Sequence, residues 1–198
     1  INCHRQNHMM HTERLDDLKK TLASENLDAL VVNSTDEHLN EYVPCHKRRL
    51  EAITGFTGSA GTAIIMCKER SPLFVDSRYH LQAEQECGSR FNVQKLGLDG
   101  VYEPREWLAL QDACPIRIGV DPNTITTKQW NYFEKSLNTA GHVWVATKDN
   151  FVDRVWDHRP EPQFHPVYPL GEKLTGESSK RKLNKIREVM TRNHVDVL

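Results

Sequence analysis

The sequence predicts an α/β fold: a mixed, mainly parallel sheet flanked by helices, followed by the truncated start of a second, similar domain. Three observations predict it. Helical stripes, with apolar residues three and four apart, alternate with short apolar runs from about residue 13 to residue 146. A stretch near the N-terminus is replayed in register at the end of the chain. Between the two copies, Pro160, Pro162, Pro166 and Pro169, four of the chain's nine prolines, fall within ten residues.

Residues 1–11 are polar, with His4, His8 and His11 among them, and read as a flexible arm. Those histidines would share one helical face and could hold a metal, but no carboxylate or Cys completes a ligand set. The first domain then covers 12–159. Leu15, Leu18 and Leu22 make the stripe of a helix over 13–25, which leads into a strand over 27–32. Ser34-Thr35-Asp36-Glu37 offers capping chemistry for a short helix. After the basic cluster His46-Lys47-Arg48-Arg49 comes the glycine-rich run 55–62, then an apolar strand over 63–67. A hairpin-like return gives Leu73-Phe74-Val75-Asp76, and Ser77 is placed to cap a helix running to about Glu86. Strands follow over 91–96, 116–120 and 142–146, with helices over 103–111 and 126–138 between them. Such alternation buries a sheet on both faces.

The proline-dense segment 160–170 favours extended backbone and supplies few donors, so it reads as a stiff linker. Beyond it, 171–198 repeats the opening pattern. Leu15 corresponds to Leu183, Leu18 to Ile186, Leu22 to Met190, Leu27 to Val195 and Leu30 to Leu198. Each copy combines one apolar helix stripe with a short run suited to a buried strand. In the second copy the strand has no continuation, which leaves a sheet unbuilt and suggests a piece of something longer. Helix followed by strand is also a common pattern, so chance is the plain alternative.

Composition narrows the function classes. With 38% hydrophobic and 27% charged residues and a formal net charge of −1, no global field draws nucleic acid or an anionic membrane. The basic cluster at 46–49 is the best local patch, and such runs are ordinarily solvated faces. Five cysteines, Cys3, Cys45, Cys67, Cys87 and Cys114, are odd in number and include no C-x-x-C pair. That usage fits reduced thiols and a cytoplasmic protein. No run approaches a membrane span.

Tested for chemistry, the glycine-rich run fails two readings on spacing and a third on composition. Gly55, Gly58 and Gly61 precede their strand and do not form a dinucleotide fingerprint. Ser59 lacks a glycine two positions before it, as a nucleophile elbow needs, and no Gly-Lys-Ser/Thr follows for a phosphate loop. His38, Cys45 and His46 match no zinc spacing. Asp76-Ser77-Arg78-Tyr79 is more informative, because a buried-looking strand ends there in charge. If that stretch stays extended, Asp76 and Arg78 share a face and the carboxylate can aim the guanidinium at a ligand. An ion pair that only trims the rim is the alternative.

Read in order, Glu41-Tyr42-Val43-Pro44-Cys45, Arg48-Arg49, the run from Gly55 to Thr62, Asp76-Ser77-Arg78-Tyr79, Gly119-Val120-Asp121-Pro122 and Asn150-Phe151-Val152-Asp153 through Trp156 to Arg159-Pro160 resemble three-domain Xaa-Pro aminopeptidases, the aminopeptidase P family. The resemblance covers about residues 12–198. It implies the N-terminal creatinase-like domain plus the start of the related second domain, with the catalytic pita-bread domain absent. That missing domain is implied to bind two divalent metals, usually manganese, so no cofactor and no catalytic residue is expected in this chain. The expected substrate is a peptide with proline in second position, whose imide nitrogen general peptidases handle poorly. The expected partners are the chain's own catalytic domain and a second copy in a homodimer. By the matching motif Arg78 is expected to reach substrate, with Asp76 orienting it and Tyr79 packed beneath. Ser77 stands where relatives often have glycine. Two alternatives share the architecture: a metal-free pita-bread protein that binds peptides or histones, like the large subunit of the FACT chaperone, and a creatinase or prolidase relative.

Overall fold

Helix α1 (Asn2–Ser24) opens the chain in a computed structural model that describes residues 2–111 and 115–197, with the backbone alone for residues 2–9. The expected arm is therefore helical from Asn2. No glycine or proline interrupts 2–24, and the leucine stripe that predicted the helix marks only its packed part. Leu15, Leu18 and Leu22 are buried. Asn26, in the left-handed region at φ 54°, turns the chain into β1 (Ala29–Asn33). The short helix that Ser34-Thr35-Asp36-Glu37 was expected to cap does not follow it. Asp36, fully buried, accepts on Oδ1 from the N–H groups of His38 and Asn40 at 3.0 Å each, so the capping chemistry closes an isolated turn.

A 3₁₀ turn over Cys45–Lys47 leads to α2 (Arg49–Thr54), which stops on Gly55 at φ 78°, the left-handed cap that a side chain would strain. Then come β2 (Thr62–Met66), β3 (Pro72–Val75), α3 (His80–Cys87) and β4 (Asn92–Lys95). They are followed by α4 (Pro104–Ala109), β5 (Arg117–Val120), α5 (Thr127–Thr139), β6 (Val143–Ala146) and α6 (Phe151–Val155). The six strands and helices α3, α4 and α5 lie within a few residues of where the sequence placed them, whereas α2 and α6, six and five residues long, are too short to show a stripe and were not expected.

The six strands form one sheet in the order β4-β3-β2-β1-β5-β6. β2 pairs antiparallel with β1 and β3, and the other ladders are parallel, so β2 alone runs against the rest. In register, Val31 stands opposite Ile64 on one side and Val120 on the other. The two-residue period then sorts the core. Leu30, Val32, Ala63 and Ile65 meet α1, α2 and α6 on one face, while Val31, Ile64 and Met66 meet residues of α4 and α5 on the other. Full burial of each valine, leucine, isoleucine or methionine among them contributes about 2 kcal/mol. Because five strands point the same way, their carboxyl ends share one rim, where ligand-facing groups gather in open α/β sheets.

Residues 1–162 and 163–198 form separate compact units. Residues 159–171 carry no regular element. In the second unit a short α7 (Glu172–Thr175) precedes α8 (Ser179–Arg192), and Ser178 caps α8 by accepting from the Arg181 N–H. Leu183, Ile186 and Val189 lie along α8, each 40–48% exposed. Residues 195–197 form no strand; the position expected to end it, Leu198, lies outside the described residues, as does Cys114.

Candidate functional site

Asp76 leaves β3 in extended conformation and accepts three hydrogen bonds from Arg78: Oδ1 from the backbone N–H and from Nε at 3.0 Å each, and Oδ2 from Nη2 at 2.8 Å. The expected pair forms, by a different route. Ser77–Tyr79 is a 3₁₀ turn, and Asp76, not Ser77, is the cap. The turn brings residue i+2 back over the carboxylate, which gives a bidentate fork that fixes the guanidinium's direction. These bonds from Arg78 hold the Asp76 carboxyl below its ordinary pKa.

Tyr79 supports the same group from below. The guanidinium carbon lies 5.1 Å from its ring centre, and the ring meets Phe56 edge-on at 5.5 Å. Its hydroxyl is 2.8 Å from Ser59 Oγ. The serine of the glycine-rich run therefore steadies Tyr79, and among the described residues no imidazole is bonded to it that could make it a nucleophile. No local pattern signals this contact, because twenty residues separate the partners. The loop itself is pinned to α3: Glu86 accepts from Thr57 N–H at 2.9 Å, and Gln82 donates to Thr57 Oγ1 at 2.8 Å. Gly58 keeps the site open, since a Cβ there would fall 2.2 Å from Phe56 Cζ.

Around Arg78, whose side chain is 58% exposed, lies a cleft of about 380 Å³. Glu41, Tyr42, Arg48, Glu51, the 57–59 loop and Tyr79 line it. Segments quoted separately from the sequence thus converge on one hollow. Asp76 borders a neighbouring hollow along the rim. The arrangement can bind a polar ligand through a preset guanidinium flanked by an aromatic ring.

Three cations of the basic cluster, Lys47, Arg48 and Arg49, are paired within the fold. Arg49 is 3% exposed and donates through Nε and Nη2 to Asp153 of α6 at 2.8 Å each, and through Nη2 to Glu37 at 3.0 Å. Lys47 also reaches Glu37, at 2.5 Å, and Arg159 reaches Asp153 at 2.8 Å. Burial works against ionisation of Glu37, yet the bonds from Arg49 and Lys47 hold its pKa down at about 2. Nη1 of Arg49 has no partner among the described residues, and the residue borders a cavity of about 10 Å³, close to the room one water needs. Asn150 Nδ2 donates to Asp121 Oδ2 at 2.8 Å, so two further motif segments meet as scaffold.

Among the described residues no three His, Cys, Asp or Glu side chains gather to hold a metal ion, His38, Cys45 and His46 included. These side chains do not fit a metal centre as they stand. His11, one of the three N-terminal histidines, donates from Nδ1 to Ala52 O at 3.0 Å. No helix among the described residues is long and apolar enough to cross a membrane.

Comparison with known proteins gives concordant findings. Residues 14–152 match the family described as Creatinase/Prolidase N-terminal domain. A relative from Coprinopsis cinerea named Probable Xaa-Pro aminopeptidase P is 37% identical over 93% of this chain and 30% of its own length. Human Xaa-Pro aminopeptidase 2 is 33% identical over 92% of this chain and 27% of its own. The chain thus spans under a third of these curated relatives. The crystal structure of X-prolyl aminopeptidase from Caenorhabditis elegans, described as a cytosolic enzyme with a di-nuclear active site, superposes with a TM-score of 0.82 at 28% identity, covering 96% of this chain and 32% of that one. The N-terminal domain of the cytoplasmic peptidase PepQ from Mycobacterium tuberculosis shares the fold, with a TM-score of 0.55 at 20% identity over 72% of this chain and 98% of that one.

Proposed function

The chain belongs to the creatinase/prolidase N-terminal domain family, and from that premise we propose that it is the non-catalytic N-terminal part of a metal-dependent aminopeptidase that releases the residue preceding proline. The proposal divides the chain into the first domain at 12–159, a linker at 160–170 and the start of a second, related domain at 171–198. In it the reacting centre, with two divalent metals that the family resemblance gives as manganese, is carried by polypeptide outside these 198 residues. The relatives' greater length supports that reading. The full protein is proposed to be a cytoplasmic homodimer, in line with the cytosolic description of the C. elegans enzyme.

Within this scheme the first domain borders the substrate cleft, and Arg78 holds a peptide carbonyl or carboxylate. The observation that carries it is the fork from Asp76 on a side chain left 58% exposed at the mouth of the cleft. A pair that served stability alone would gain little at such exposure, whereas a guanidinium with a fixed direction pre-organises a binding site.

The test uses the full-length enzyme. Arg78→Ala is expected to lower kcat/KM on Xaa-Pro peptides by about tenfold or more, the worth of one charge-assisted hydrogen bond. Its melting temperature should stay within about 1 °C of the parent, because the side chain is exposed. Unchanged kinetics would remove Arg78 from substrate binding. Activity of the isolated 198 residues on a proline peptide would refute the assignment of the chemistry to the remaining polypeptide.

A further inference from the structure

We infer that the cleft at Arg78 is one end of a longer groove along the carboxyl-terminal rim of the sheet, and that this groove receives the residues of a peptide substrate lying beyond the reacting bond. The inference rests on the reading in the preceding section.

Three hollows share walls. Ser34 borders both the Arg78 cleft and a second hollow of about 410 Å³. Asn33, Thr62 and Gln129 border both that hollow and a third of about 250 Å³. The ion pair described above stands at the first junction, with Asp76 on the middle hollow and Arg78 on the cleft. Along the middle stretch the polar walls are hydroxyl and amide groups, and Asp76, the one charge there, is matched by Arg78. Such a wall suits an extended peptide main chain, which carries a donor and an acceptor at each residue and no charge.

The far end is aromatic. Phe133 stacks on Trp144 at 5.0 Å, and Tyr132 stands beside them under the Arg105 guanidinium, 4.2 Å from its ring centre. That wall offers an apolar side chain somewhere to lie.

Leu39 adds an independent sign. It sits on the middle hollow at φ 56°, a conformation leucine rarely adopts, and is 43% exposed. The Asp36 turn holds it there, with Leu39 N–H on Asp36 O at 3.0 Å. An exposed apolar side chain kept in strained backbone beside a groove is characteristic of a contact surface.

The experiment measures kcat/KM of the full-length protein on Xaa-Pro peptides lengthened from tripeptides to octapeptides. A rise of about tenfold with length is expected, the effect of burying part of one apolar side chain. Leu39→Asn suits the left-handed backbone, so the fold is retained while the apolar contact goes; Tyr132→Ala alters the aromatic end. Each is expected to shrink the long-to-short ratio by about threefold to tenfold. Proline-specific cleavage with no dependence on length, or a ratio unchanged in both variants, overturns the groove and leaves the proposed function standing. Failure to cleave any proline peptide overturns both.

Discussion

Two regions of the molecule carry the same apolar pattern and differ in what surrounds it. In α1, Leu18 and Leu22 are fully buried, packed with residues of α2, β1, β2 and α6. In α8, the corresponding Ile186 is 40% exposed, and its unit contains one other short helix and no strand among the described residues. Both stretches are helical. The pattern therefore suffices to set the helix and its face, while burial depends on a sheet and neighbouring helices supplied elsewhere in the chain.

The largest effect should come from breaking the buried copy. Leu18→Ala is expected to cost about 4 kcal/mol in urea denaturation, through lost transfer energy and the cavity left behind. Ile186→Ala should change stability by under about 0.5 kcal/mol. Equal costs would mean that α8 has its apolar face covered in solution, and the contrast between the copies would vanish.

Ion pairs sharpen the same contrast at smaller scale. Arg49→Ala strands Glu37 and Asp153 beside a buried position and is expected to cost about 3 kcal/mol. Lys185→Ala breaks a 2.9 Å pair with Glu177 in which the lysine is 69% exposed, and should cost under about 0.5 kcal/mol. The Arg49 network also predicts a pH window. Glu37 is held at about 2 when folded, against an ordinary 4.5, so its contribution is complete above pH 4.5 and is lost as pH falls toward 2. Glu37→Gln should flatten that part of the stability profile, read from urea midpoints across the window; an unchanged acid slope would show that the carboxylate is not protected.

Most of the architecture was legible in the sequence because it is written locally. Stripe, apolar run and proline segment each sit within a dozen residues. Asp76, Arg78 and Tyr79 were legible for the same reason, being contiguous. What escaped was non-local or locally ambiguous. Arg49 looked like part of a solvated basic run because its partner Asp153 lies 104 residues on. Ser59 looked like a failed nucleophile because nothing nearby in sequence points to Tyr79. At Ser34-Thr35-Asp36-Glu37 the residues that start helices also close turns, and the buried Asp36 carboxylate decided for the turn.

The lone reversed strand has a consequence for how the chain acquires its shape. β2 and β3 form a ladder joined by a loop of only five residues, 67–71, whereas β1–β5, β3–β4 and β5–β6 must each wait for a crossover. A tight hairpin closes within microseconds, and parallel ladders pay a longer loop-closure entropy first. Pulse-labelled hydrogen exchange during refolding should therefore protect the amides of Thr62 and Phe74, which face each other across that ladder, before that of Ile118, so that the glycine-rich loop and the Asp76 turn flank the first piece of structure to appear.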